Sequence, residues 1–198
     1  MNVHSNPSDS ELVVRCLAGE KEAFGYLMQR YKEQLYRFIR RYAGDRDEAY
    51  DILQESFLAA WHGLKHYDQS KPFPAWLFRI ALNKCRDWSR RRTVRRWLTH
   101  SDPLDGFVGL ALIDNNPLPD TATIEKQELL LLDQAIASLP KNLKEPLILT
   151  ALQGHTHSEA AVILKLSAKA IEVRVYRARK ALAEKLRLLN HNIQSLEE

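Results

Sequence analysis

The sequence predicts an all-α protein of two small helical domains joined by an extended acidic linker. Three observations carry that reading. Apolar residues recur at three- and four-residue steps over most of the chain, and no run alternates apolar with polar residues, so helices are expected and strands are not. Residues 101–125 hold Asp102, Asp105, Asp114, Asp120 and Glu125 without a single Lys or Arg. In the same stretch Pro103, Pro117 and Pro119, with Gly106 and Gly109, forbid a long regular element. The 198 residues therefore divide into a unit at 1–98, a linker at 99–122, a unit at 123–190 and a tail at 191–198 expected to fray.

In the first unit, residues 20–42 place Phe24, Leu27, Met28, Tyr31, Leu35, Phe38, Ile39 and Tyr42 on one helical stripe. Gly44-Asp45 interrupts it, and a second helix follows through Ile52, Leu53, Phe57, Ala60 and Trp61. Asp45, Asp47 and Glu48 suit the dipole at its start. Asp51 and Glu55 are not explained that way: like charges four residues apart disfavour an isolated helix, so a basic protein partner is expected on that face. A loop at 66–74 comes next, and its Pro72 and Pro74 suit a helix start. The helix expected at 75–97 is apolar first (Trp76, Leu77, Ile80, Ala81) and basic later.

That basic half carries Arg79, Lys84, Arg86, Arg90, Arg91, Arg92, Arg95 and Arg96 against a single acid, Asp87. Cations so crowded repel one another unless an anion joins them, which points to phosphate. Asn83 and Asp87, one turn apart, can meet base edges beside the arginines, and Tyr67 and Lys71 in the preceding loop can cradle an unstacked base. Trp76 and Trp88 are candidate stacking platforms, although a Trp in an apolar stripe more often belongs to the core.

The second unit reads as four helical segments. Thr156 and Glu159 form a capping box opening a short helix with Ala160, Ala161, Ile163 and Leu164 inside. Lys165-Leu166-Ser167 makes a tight turn, and Ser167 caps a longer helix whose buried stripe is Ile171, Val175, Ala178 and Leu182. Lys169, Arg174, Arg177, Arg179 and Lys180 lie mostly off that stripe. A short helix, a turn and a basic second helix make a helix-turn-helix, whose second helix can enter a major groove. Arg suits bidentate contacts to guanine, and Lys suits phosphate. Pro146 is tolerable in this unit if its helix begins near Lys144.

Other function classes find less support. The longest apolar stretches, such as 107–113, are too short to span a bilayer, and residues 1–10 lack the basic and apolar runs of a signal peptide, so a cytoplasmic protein without membrane insertion is expected. Cys16, in an apolar run, and Cys85 stand alone, so no disulfide framework, zinc site or cofactor is expected. His155-x-His157 is a metal-like pair without a third ligand, and it reads as an exposed loop rather than an enzyme's centre. The net charge of +4 and isoelectric point of 9.1 favour an anionic partner.

The segment Asp51-Ile52-Leu53-Gln54-Glu55-Ser56-Phe57, then Pro74-Ala75-Trp76-Leu77-Phe78-Arg79-Ile80-Ala81-Leu82-Asn83 with Asp87 and Arg90-Arg91, resembles region 2 of the extracytoplasmic-function (ECF) sigma factors. Leu139-Pro140, Gly154, Ser158-Glu159, Ala161, Ile163-Leu164, Ser167 and Arg174-Val175-Tyr176-Arg177-Ala178-Arg179 resemble region 4. The resemblance implies a transcription-initiation factor whose partners are core RNA polymerase (β′ clamp and β flap), promoter DNA and an anti-sigma factor. It implies that Asp51, Gln54 and Glu55 dock on the clamp. The melted −10 element would meet Tyr67, Lys71, Arg79, Asn83, Arg86, Asp87, Arg90, Arg91 and Arg92. The −35 duplex would be read by Ser167, Lys169, Ala170, Glu172, Arg174, Arg177, Arg179 and Lys180, and the acidic linker would thread a cation-lined polymerase channel. Three departures stand out: Tyr50 where the family often has an acid, Lys165 in place of the turn glycine, and Ala170-Ile171-Glu172 where Thr-Val-Lys is common. Two other readings are open, a stand-alone helix-turn-helix regulator binding a two-fold operator, and a protein that titrates an anti-sigma factor without transcription.

Overall fold

Ser8 opens the first helix. Its side chain accepts from the Glu11 backbone N–H while the Glu11 carboxylate accepts from the Ser8 N–H at 2.6 Å, a reciprocal cap on α1 (Asp9–Leu17). The periodicity did not announce α1; it docks through Asp9, which accepts from Arg30 and Tyr31 of α2 (Lys21–Ala43). The computed structural model describes residues 7–99 and 124–194, so most of the expected acidic linker and the last four residues lie outside the described residues.

Gly44 ends α2 with φ +78°, a left-handed conformation that a side chain would strain, and its N–H bonds the Arg40 carbonyl at 2.9 Å. Asp45 then caps α3 (Arg46–Gly63), accepting from the Glu48 N–H at 2.9 Å. After a single 3₁₀ turn at Leu64–His66, α4 runs from Phe73 to Thr99. Pro74 falls in its first turn, where a missing N–H leaves no bond unmade. Leu27, Leu35, Phe38, Ile39, Tyr42, Leu77, Phe78 and Leu82 are fully buried where α2 and α4 meet around α3, and Phe38 meets Phe78 edge-on at 5.6 Å. The two candidate tryptophans belong to this packing. Trp76 lies against Tyr67 and Phe73, at 4.9 and 5.6 Å, while Trp88 is buried and donates its indole N–H to Glu48 at 2.6 Å.

The second half comprises α5 (Ile124–Ala137), α6 (Lys141–Leu147), α7 (His157–Leu164) and α8 (Ala168–Gln194) among the described residues. Here one expectation is corrected. α6 begins at Lys141, three residues before the start that would have placed Pro146 in the first turn, so the proline sits inside the helix. Its ring removes a rung of the ladder, and the chain next widens into a π-turn at Ile148–Leu152, with Gln153 N–H reaching back five residues to the Ile148 carbonyl at 3.0 Å. The Pro146 carbonyl takes the Thr150 hydroxyl at 2.8 Å. At the other end, α8 stays helical to Gln194, beyond the expected start of the frayed tail.

The two halves do not stand apart. α7 packs on α4, and α5 and the π-turn pack on α2, so Phe78, Ile136, Ile148, Leu149 and Ile163 belong to one continuous apolar core. The fit is close at the α2–α3 corner, where a Cβ on Gly44 would stand 3.1 Å from that of Ala137.

Candidate nucleic-acid interface

The turn between α7 and α8 is set by Lys165, whose φ of 56° and ψ of 49° are the left-handed values that the family's glycine supplies freely. Its N–H and that of Leu166 both close on the Ala161 carbonyl, ending α7. Thr156 and Glu159 form the expected capping box at the start of α7. Ser167 begins α8, accepting from the Ala170 N–H at 3.1 Å. Buried Ile171, Val175 and Ala178 fix the rotation of α8. Ser167, Lys169, Glu172, Arg177, Arg179 and Lys180 are left exposed, with Ala170 and Arg174 half-buried beside them. Lys169 bonds Glu172 at 2.9 Å and holds its carboxyl below the usual range. Beside the basic residues of α8, Val173 and the 72%-exposed Tyr176 are exposed apolar side chains to which the sequence reading gave no DNA contact. Their absence from the 171–175–178–182 stripe was the available signal.

On α4 the predicted residues fall on two neighbouring faces. Arg79, Asn83, Arg86 and Arg90 follow one another at four, three and four residues, a single stripe. Asn83 and Arg90 are exposed, and Arg90 pairs with Asp87. Arg79 and Arg86 instead turn to the second half: Arg79 donates to the carbonyls of Val162 and Ile163 (Nε to Ile163 3.3 Å), and Arg86 forks onto Glu145 at 2.8 and 2.6 Å. The other face meets α3, where Lys84 and Arg91 reach the Glu55 carboxylate at 3.3 and 3.8 Å. Arg92 covers the Trp88 ring at 5.2 Å. In the loop before α4, Tyr67 donates its hydroxyl to the Lys71 carbonyl and rests its ring on Phe73 and Trp76, while Lys71 pairs with Asp68 at 2.8 Å.

The acidic face on α3 is uneven. Asp51 and Gln54 are exposed, while Glu55 is half-buried under Lys84 and Arg91. Tyr50 is exposed and stacks on Tyr36 of α2 at 4.6 Å. His155, expected in an exposed loop, is half-buried with its ring edge-on to Phe78 at 4.9 Å, and burial lowers its basicity. Among the described residues no three His, Cys, Asp or Glu side chains are grouped to hold a metal, and no helix is long and apolar enough to cross a membrane.

The family model for Sigma-70 region 2 matches residues 27–95, and that for Sigma-70, region 4 matches residues 129–182. RNA polymerase sigma factor CnrH of Cupriavidus metallidurans is 37% identical over 182 residues, covering 90% of this chain and 95% of its own. Sigma factor NccH of Alcaligenes xylosoxydans xylosoxydans is 39% identical over 176 residues, 88% of this chain and 93% of its own. ECF RNA polymerase sigma factor SigW of Bacillus subtilis is 28% identical over 173 residues, 85% of this chain and 91% of its own. Among solved structures, CnrH in complex with the cytosolic domain of CnrY superposes with a TM-score of 0.66 at 31% identity, over 92% of this chain and 99% of that one. Sigma factor RpoE of Bartonella quintana, in complex with the anti-sigma factor NepR, gives a TM-score of 0.57 at 25% identity, over 81% of this chain and 96% of that one.

Proposed function

The chain belongs to the ECF sigma factors, and from that premise we propose how its surfaces divide the work of transcription initiation. The protein binds core RNA polymerase and directs it to promoters carrying its −10 and −35 elements. The observation that supports this division best is the presence in one chain of two separate basic helices, α4 and α8, beside the exposed acids of α3.

α8 enters the major groove of the −35 duplex. Its buried stripe anchors it to α7, and Lys169, Arg177, Arg179 and Lys180 face outward to phosphates and bases, with Arg174 and Glu172 beside them. Glu172 accepts from a cytosine amine, and its pairing with Lys169 limits its repulsion of phosphate. α4 and the loop at 66–74 hold the melted −10 strand. Arg79, Arg86, Arg90, Arg91 and Arg92 supply charge, Asn83 and Asp87 meet base edges, and Tyr67 with Lys71 shapes the loop. Asp51, Gln54 and Glu55 dock on the polymerase β′ clamp, and the region 4 half sits at the β flap. The protein works by binding, in the cytoplasm where polymerase is, and without covalent chemistry of its own. An anti-sigma factor controls it, as the solved complex of RpoE with NepR illustrates for a relative.

Core binding measured by fluorescence anisotropy tests the docking face. The wild type is expected to bind, and Asp51→Lys to lose at least about tenfold, about 1.4 kcal/mol, with an unchanged helical spectrum. Equal affinities for the two would remove the docking assignment.

A further inference from the structure

Two of the arginines assigned above to the −10 strand are already occupied. Arg86 holds both oxygens of Glu145, at 2.8 and 2.6 Å, and Glu145 is only 4% exposed. Tyr42 of α2 points its hydroxyl at the same carboxylate, 3.4 Å away. Beside it the Lys144 amine donates to the Tyr42 carbonyl at 3.1 Å and the Ala137 carbonyl at 2.8 Å, over the Tyr42 ring. Seven residues earlier on the same stripe of α4, Arg79 donates to the Val162 and Ile163 carbonyls. Those carbonyls lie in the last turn of α7, the negative end of that helix. A helix C-terminus and a carboxylate thus meet Arg79 and Arg86, two of the cations that the reading above gives to strand phosphates.

We propose that this clasp is an autoinhibitory contact, in which the region 4 half occupies the −10 face of α4 as a stand-in for the strand. The inference rests on the reading of α4 given above. The hydrogen-bonded side chains that meet Glu145, those of Arg86 and Tyr42, lie in the opposite half, so opening returns it to water rather than leaving it buried alone. The gain from the pair is set against the cost of desolvating it, which keeps closure reversible. The reading surface of α8 is exposed in the closed form, since Lys169, Glu172, Arg177, Arg179 and Lys180 all face solvent. The closed protein therefore reads duplex while Arg79 and Arg86 are withheld from a single strand.

The test uses the full chain, small-angle X-ray scattering, and anisotropy with two fluorescein-labelled probes of random sequence, a short single strand and a short duplex. Glu145→Arg sets two cations against each other in the clasp. It is expected to enlarge the radius of gyration by several ångströms and to tighten single-strand binding at least about tenfold, leaving duplex binding unchanged. Arg86→Glu combined with Glu145→Arg restores the pair and is expected to return the radius of gyration to the wild-type value. If Glu145→Arg fails to fold, Glu145→Gln, which keeps the shape and removes the charge, carries the same comparison. An unchanged radius would overturn the clasp. An enlarged radius with equal, measurable single-strand affinity would overturn the inhibition alone. An enlarged radius with no single-strand binding by either protein would overturn both the inhibition and the strand reading of α4.

Discussion

Lys165 is the one described non-glycine residue with a left-handed backbone, and replacing it with glycine should stabilise the protein. For an L-residue that conformation costs about 1–2 kcal/mol. Glycine removes the cost but gives the unfolded chain more freedom, which returns about 0.5–1 kcal/mol. The side chain is exposed, so little packing is lost with it. Lys165→Gly should therefore gain about 0.5–1 kcal/mol, and for a chain of this size that raises Tm by about 1–4 °C. Thermal unfolding followed by circular dichroism measures it, with Lys165→Ala as the control. Alanine keeps the strain and discards only the exposed side chain, so its stability should match the wild type within about 0.5 kcal/mol. Since the turn geometry is already that of a glycine, duplex binding by α8 should be the same in both variants. A Tm for Lys165→Gly at or below that of Lys165→Ala would refute the strain argument.

Three more outcomes follow from the same geometry. Burial between Tyr42, Ala137 and α4 pushes the Lys144 amine down to about 8, with Cys85, Glu145 and Arg92 as its charged or titratable neighbours. Freed by opening, it returns towards its ordinary range, so opening takes up a proton in the window above about 8 and raising the pH through it favours the closed form. Cys85 and Tyr42, whose neutral forms burial favours, act in the opposite sense if opening exposes them, so the comparison is between wild type and Lys144→Met, and matching pH profiles of the radius of gyration would show that the amine keeps its proton when closed. Arg174→Ala should cost about 1–3 kcal/mol on the preferred −35 duplex and less on others; an equal loss on every sequence would assign Arg174 to phosphate. Arg90→Ala in the opened protein should lower the salt dependence of single-strand binding by about 0.7 in log–log slope, and an unchanged slope would take Arg90 off the strand.

Much of the helical plan was legible because it is local. The stripe through Phe24, Leu35 and Phe38, the box of Thr156 and Glu159, and the cap at Ser167 each depend on residues within a turn or two of one another. α1 escaped notice because it is short, and its anchor, Asp9 on Arg30 and Tyr31, reaches across to another helix. Lys165, standing in place of the turn glycine, takes the left-handed conformation a glycine would take, and the hydrogen bonds that end α7 hold it there. Of the candidate surfaces, the exposed side of α8 followed from its stripe. The division of α4 did not, because whether an arginine meets solvent, Glu55 or Glu145 depends on elements far away in sequence. Lys144 and Glu145 gave a faint sign, two charges set in the apolar run Leu143–Leu149, where burial demands partners that the local sequence does not name.

The most direct measurement is run-off transcription from a pool of genomic promoters with bacterial core polymerase, with and without this protein. The account predicts discrete transcripts that require the protein, whose start sites share two spaced elements, and their loss with Asp51→Lys. Absence of any protein-dependent transcript, with core bound stably and no anti-sigma factor present, would contradict it.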